Sequence, residues 1–236
     1  MKIYYFRFNR RQAVKFIAFL CAVVSILPAV RSYSSDNQEN RLAVPIAASP
    51  SNGIEGWKVK EWNGKADFEV IDTEFGKAVH LKSASTSSAL LREMKFDTKK
   101  YPMLGWRWKA VRLPEGGDVR QKSTDDQAIQ VYVMFSRWPG GVINRRVIGY
   151  IWDTGAPEGG VFTSAKTSST RYIVLRSGPA GLGQWFEEKR NVFKDYERLF
   201  DEEPEIDATG ISVMIDSDDT KSSAESYITG IYIAGQ

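Results

Sequence analysis

The feature that most constrains the fold is strict alternation of apolar and polar residues in short runs separated by turn-forming clusters. In "QAIQVYVMF", Ile129, Val131, Val133 and Phe135 fall on one side of an extended chain, and Gln130, Tyr132 and Met134 on the other. "GWRWKAV" places Trp106, Trp108 and Ala110 together opposite Arg107 and Lys109, and "ISVMID" sets Ile211, Val213 and Ile215 against Ser212, Met214 and Asp216. A period of two with one apolar side is the pattern of a strand that buries one face. Further runs, "GWKVKEW", "DFEVI", "KAVHLKS", "VIGYIWD", "RYIVLRS" and "ITGIYIA", recur between Gly, Asp, Ser and Pro clusters from Gly56 onward. Only "VFKDYERLFD" has helical spacing, with Val192, Tyr196 and Leu199 at i, i+4 and i+7. No fixed repeat is visible, which disfavours a propeller or solenoid. About ten strands and one short helix predict an all-β, jelly-roll-like antiparallel β-sandwich of the galactose-binding or carbohydrate-binding-module type.

The 236-residue chain divides into a leader, an arm and this one domain. A basic stretch precedes the apolar run "FIAFLCAVVSILPAV" (Phe16 to Val30), followed by small residues, so residues 1–32 read as a secretory signal peptide. The run is short for a membrane span, and no span is expected after cleavage. "NRRQAVK" resembles a twin-arginine export signal, although Ala13 stands where a bulky residue is usual; a general secretory leader fits the same segment. The expected location is periplasmic or secreted. Six of the 32 Lys and Arg residues lie before Tyr33; without them 26 basic residues face 29 acidic ones, about −3. The formal charge of +3 is therefore no sign of a nucleic-acid partner. The only cysteine, Cys21, lies in the leader, so the domain has no disulfide, thiolate metal site or cysteine nucleophile. Residues 33–53, polar and then small and Pro-bearing, read as a flexible linker, and 54–236 as the sandwich.

The chemistry-bearing residues cluster twice. "DSDDT" (Asp216 to Thr220) offers oxygen ligands for a hard cation, and Asp125-Asp126 would complete a calcium shell of Asp216, Asp218, Asp125 and Asp126. The EF-hand pattern fails, because Lys221 and Tyr227 stand where glycine and glutamate are needed. The same aspartates also serve an ordinary Asx turn or, as a pair across a cleft, a glycoside hydrolase. In "KRNVFKDY", Asn191 is placed to cap the helix, and Arg190 to pair with a carboxylate or a ligand. Trp138, Trp152 and Trp185 border loop-like segments and are the ligand-stacking candidates, whereas Trp106 and Trp108 share parity with Ala110 and belong to the core. His80, between Val79 and Leu81, falls on an outer strand face beside Lys82; no nucleophile elbow or phosphate-binding motif accompanies it.

The order of "LGWRWKAV", "STDDQAIQVYVMF", "IGYIWD", "KRNVFKDY" and "ISVMIDSDDTKSSAESYITGIYI" resembles the bacterial exported family called domain of unknown function 3047, over about residues 56–233. The resemblance implies a β-sandwich similar to carbohydrate-binding or galactose-binding-like modules. It carries the landmarks onto Trp106, Trp108, Asp125, Asp126, Arg190, Asn191, Asp195, Asp216, Asp218 and Thr220 without assigning them roles. The function expected from all this is binding of a glycan-like or other envelope ligand without catalysis. The alternatives are a carbohydrate-active hydrolase or lyase using the aspartates, and an envelope structural or protein-interaction module.

Overall fold

The computed structural model of the protein describes residues 41–48, 53–136 and 145–236. The expected leader, Cys21 and Trp138 lie outside these residues, as does most of the expected linker. The strands, in chain order, are β1 (Arg41–Ala43), β2 (Lys58–Asn63), β3 (Asp67–Thr73), β4 (Gly76–Ala84), β5 (Ser87–Phe96), β6 (Met103–Arg112), β7 (Ile129–Ser136) and β8 (Arg145–Asp153). They continue with β9 (Val161–Thr163), β10 (Thr170–Ser177), β11 (Phe186–Asn191), β12 (Ala208–Asp216) and β13 (Ser223–Ala234); helix α1 (Val192–Phe200) lies between β11 and β12.

Two sheets form. One runs β11-β6-β13-β4-β3, with β1 also paired to β13; the other runs β2-β5-β12-β7-β8-β10-β9. All pairings are antiparallel except β8 with β10, which run parallel because β9 and the loops beside it return the chain between them. Alternation works as the sequence predicts. Trp106, Trp108, Ile129, Val131, Val133, Phe135, Ile211, Val213 and Ile215 are fully or almost fully buried between the sheets. Trp106 meets Trp108 edge-on at 5.4 Å, and Trp108 meets Trp152 at 6.2 Å. Each such ring removes a large apolar area from water, so this aromatic seam dominates the core.

Helix α1 forms where its spacing predicts it. The Asn191 side chain accepts the Lys194 N–H at 2.9 Å, capping the first turn, and Asp201 ends the helix with φ 55° in the left-handed region. Among the described residues no helix is long and apolar enough to cross a membrane.

Four strands, β1, β5, β9 and β11, go beyond those expected from the sequence. Residues 41–48, read as linker, pack on the domain: β1 pairs Leu42 with Ile233, and Val44 is buried in the core. A free edge on β13 and one buried valine outweigh the polar, Pro-bearing composition around them. β5 is not among the alternating runs of the sequence; it is held between β2 and β12, with Ala89 and Leu90 both buried on its two faces. β11 is likewise absent from the pattern, since "FEEKRN" is polar along its length; it forms by pairing with β6 from Phe186–Trp108 to Asn191–Met103.

Candidate functional site

The outer face of the seven-stranded sheet carries a cleft of about 390 Å³. Its floor follows from register. Ser212, Tyr132, Gly149 and Tyr172 align across β12, β7, β8 and β10, with Met214 and Gln130 in the next row and Met134, Val147 and Thr170 on the other side. These are the partners, on the alternate face, of the residues that fill the core. Gly149 keeps this floor low, because a Cβ there would lie 2.7 Å from the Tyr172 ring and 2.8 Å from that of Tyr132. The Tyr132 hydroxyl donates to Gln130 Oε1 and lies 3.4 Å from the Tyr172 hydroxyl. Burial pushes both phenols up, Tyr172 to about 12. Trp62, 56% exposed, stands at the rim.

Because β7 runs antiparallel to β8 and β12, its start lies beside their ends, and there the two acidic segments meet. Asp126 accepts the backbone N–H of Asp219 at 3.2 Å and of Thr220 at 2.6 Å, tying the 217–220 turn to the entrance of β7. Asn63 donates to Asp218 at 2.7 Å. Lys166 reaches in from the loop before β10, with its ammonium 2.5 Å from Asp219 Oδ2 and 4.0 Å from Asp125 Oδ2. Burial acts to lower the Lys166 ammonium, but Asp219, Asp216 and Asp125 outweigh it and hold the group well above the ordinary lysine value.

The carboxyl groups differ in protonation. Asp216 is pushed up to about 10, first by burial and then by hydrogen bonds shared with Asp218 and Asp126. At neutral pH it is a carboxylic acid that donates a proton. Asp218 is lowered: burial opposes the shift, but hydrogen bonds from Asp216 and Asn63 favour its charge. Asp125 is raised to about 6 by burial, with Lys166 and Gln127 pulling the other way. Asp153, raised by burial, accepts the N–H groups of Ala156, Gly155 and Val119 and shapes the turn after β8.

The sequence candidates separate accordingly. Asp125, Asp126, Asp216 and Asp218 converge, but the oxygens grouped closely enough for one cation belong to Asp126, Asp218 and Asp219, within 4.8 Å of one another. Lys166 places a positive charge against Asp219, one of these three. Arg190 joins neither cluster. It forms a two-point ion pair with Asp195, at 2.9 and 2.5 Å, and Tyr150 donates to the same carboxylate at 2.8 Å. This clasp fastens α1 to the core. Trp152 is fully buried, with its indole N–H donating to the Gly178 carbonyl at 3.1 Å, because alternation along β8 turns it inward with Tyr150. Trp185 lies on the opposite side of the sandwich, against Phe75, Tyr227 and Lys109. His80 is on an outer face as predicted, yet it is covered, stacked on Tyr227 at 4.1 Å and bonded to Glu225 at 2.8 Å.

Lys166, Trp62, Gln130, Tyr132 and Tyr172 were not singled out by sequence. The pattern did set Gln130 and Tyr132 on the face away from the core. Lys166 and Trp62 carry no such signal, because their position depends on which strands are neighbours.

Solved structures with a similar arrangement are only distantly related. A variant of the Cel12A cellulase of Rhodothermus marinus has 9% identity and a TM-score of 0.47, covering 83% of this chain and 99% of its own. The family 30 carbohydrate-binding module of Clostridium thermocellum cellulase Cel9D-Cel44B has 7% identity and a TM-score of 0.41, covering 77% and 92%. The enzymatically active domain of bacteriophage CBA120 tailspike protein 4 has 8% identity and a TM-score of 0.41; 77% of this chain is covered, which spans 20% of the tailspike chain. No curated protein matches the sequence. The segment that builds both sheets, the acidic turn and the Trp106–Trp108 seam, residues 55–232, matches one family model, and the chain belongs to that family, described as Protein of unknown function (DUF3047).

Proposed function

We propose that the protein binds a glycan in the cleft across its seven-stranded sheet, as an exported protein acting on envelope or extracellular saccharide. The observation that carries this reading is the composition of the cleft. The tyrosines Tyr132 and Tyr172, the thioethers of Met134 and Met214 and the rim indole of Trp62 stand beside Gln130, Asp125, Asp216 and Asp218. A sugar ring presents an apolar face edged by hydroxyls, and a pocket that holds it needs apolar surface with a few fixed donors and acceptors. Asp216 acts there as a donor and Asp218 as an acceptor, so one short segment serves both ends of a hydroxyl hydrogen bond.

The test is calorimetric titration of the full chain with a panel of oligosaccharides. Saturable binding that weakens at least tenfold in Trp62→Ala or Tyr172→Ala supports the reading; no binding across a broad panel overturns it.

A second reading, hydrolysis of the bound glycan, is favoured by one observation. Asp216 stays protonated in the same cleft as Asp125, whose carboxyl titrates at about 6. A protonated acid beside a group able to ionise near neutral pH is the division of labour that glycoside cleavage uses. Under this reading Asp216 protonates the leaving oxygen and Asp125 activates water. Release of reducing ends that disappears in Asp216→Asn, with binding retained, would establish it; binding without release leaves a binding protein.

A further inference from the structure

We propose that the glycan taken by this cleft is acidic and that Arg145 pairs with its carboxylate, an inference that rests on the glycan-binding reading and names the ligand class. Arg145 opens β8 and lines the cleft at the end away from the aspartates. Its Nε is buried, and among the described residues it has no hydrogen-bond partner.

Three other part-buried arginines show what is missing. Arg190 is paired to Asp195, Arg176 to Glu188, and Arg146, the next residue in the chain, to Glu202 at 3.2 Å. Arg145 has no such carboxylate among the described residues, although it alone of the four lines the cleft. A buried donor left unmet is destabilising, and more so when it carries charge. A ligand oxyanion removes that cost on binding. The free group is Nε, and a guanidinium approached through Nε and a terminal nitrogen presents two parallel N–H donors. That fork matches the two oxygens of a carboxylate.

Position supports the same assignment. From Ile151, aligned with Gln130 beside the acidic end, to Arg145 there are six residues of β8, about 20 Å at the rise of an extended strand. The two ends of the cleft therefore differ in charge. Asp125 and Asp218, with Lys166 beside them held by Asp219, oppose an anion at one end, and Arg145 attracts it at the other. An extended chain with its carboxylate at the Arg145 end satisfies both, and the polarity fixes the direction in which it lies.

The experiment titrates the full-length protein, at low and at physiological salt, with uronate oligomers, the same oligomers after reduction of their carboxyl groups, and sulfated oligosaccharides of equal length. The expected result is at least tenfold tighter binding of the uronate than of its carboxyl-reduced counterpart. That ratio should fall below about twofold in Arg145→Gln and to an intermediate value in Arg145→Lys, which keeps the charge and loses the fork. Circular dichroism melts establish that each variant is folded, and if Arg145→Gln is not, Arg145→Lys carries the comparison. Equal binding of uronate and reduced oligomers by the wild type overturns the inference and leaves glycan binding standing. A preference for sulfated over uronate chains overturns it in the same way, as does a uronate preference that survives both substitutions. Absence of binding to every oligomer removes the glycan-binding reading as well.

Discussion

The two outer faces of the sandwich are built from similar residues and do opposite things with them. On the six-stranded sheet, His80 stacks on Tyr227 and bonds to Glu225, while Lys109 lies over the rings of Tyr227 and Trp185 at 4.2 and 4.9 Å. Arg107 pairs with Glu187 and covers Phe75 at 4.9 Å. Rings and charges there use each other. On the seven-stranded sheet the tyrosines, methionines and Trp62 surround open space, Arg145 Nε and Asp218 Oδ1 are buried without a hydrogen bond, and two aspartates titrate far from their usual range. One face satisfies itself; the other keeps unmet bonding capacity around a cavity. Perturbed carboxyls in a cleft mark functional sites more often than chance, and the self-paired face shows that aromatic and charged content alone does not.

The comparison predicts unequal responses to loss of a lysine. Lys166→Met removes the counter-charge of Asp219 and Asp125, and should destabilise the fold by about 2–3 kcal/mol at neutral pH, less than a fully buried pair because Lys166 is a third exposed. Lys109→Met on the other face should cost below about 1 kcal/mol, the usual range for a cation over exposed rings. Urea denaturation of both variants measures the difference, and equal losses would erase it.

Acid titration sharpens the same contrast. A carboxyl whose folded value is raised makes the protein bind more protons than the unfolded chain does. Stability from Asp216 is thus complete below about pH 4 and falls as pH rises toward 10, by up to about 1.4 kcal/mol per pH unit; Asp125 adds to the slope only up to about pH 6. Asp216→Asn, which mimics the protonated acid, should flatten the slope above pH 6 and raise stability at pH 8. An unchanged slope in that variant would show that Asp216 is ionised in the fold.

The smallest expected effect is that of Trp62→Ala on folding. With the indole 56% exposed, the change in stability should stay within that of an ordinary surface substitution, about 0.5 kcal/mol, while glycan affinity falls. A large loss of stability would make Trp62 a packing residue.

How far the sequence reaches is itself uneven between the faces. Strand alternation at 129–135 and 211–216 located the core and, by the same parity, the residues that line the cleft. The convergence of Asp125-Asp126 on the 216–220 turn was legible only as one arrangement among several, because it requires β7 and β12 to be neighbours. That Lys166 enters the acidic cluster depends on strand order, and composition carries no record of it, whereas the Arg190–Asp195 pair and the inward Trp152 are local outcomes of one segment and of alternation along β8. Trp152 also shows the limit of proximity to a loop as a guide, since it stands one residue before Asp153 at the end of β8 and is still fully buried. β5 was hidden for a physical reason: a strand covered on both faces loses its alternation.

The most direct test of the account places one substitution on each face and measures oligosaccharide affinity. Tyr172→Ala in the cleft and Trp185→Ala on the six-stranded sheet each remove one aromatic ring. If the open face is the binding face, Tyr172→Ala weakens the best-bound oligosaccharide at least tenfold, about 1.4 kcal/mol, and Trp185→Ala changes it less than twofold. Loss of affinity in Trp185→Ala with Tyr172→Ala unaffected would contradict the account.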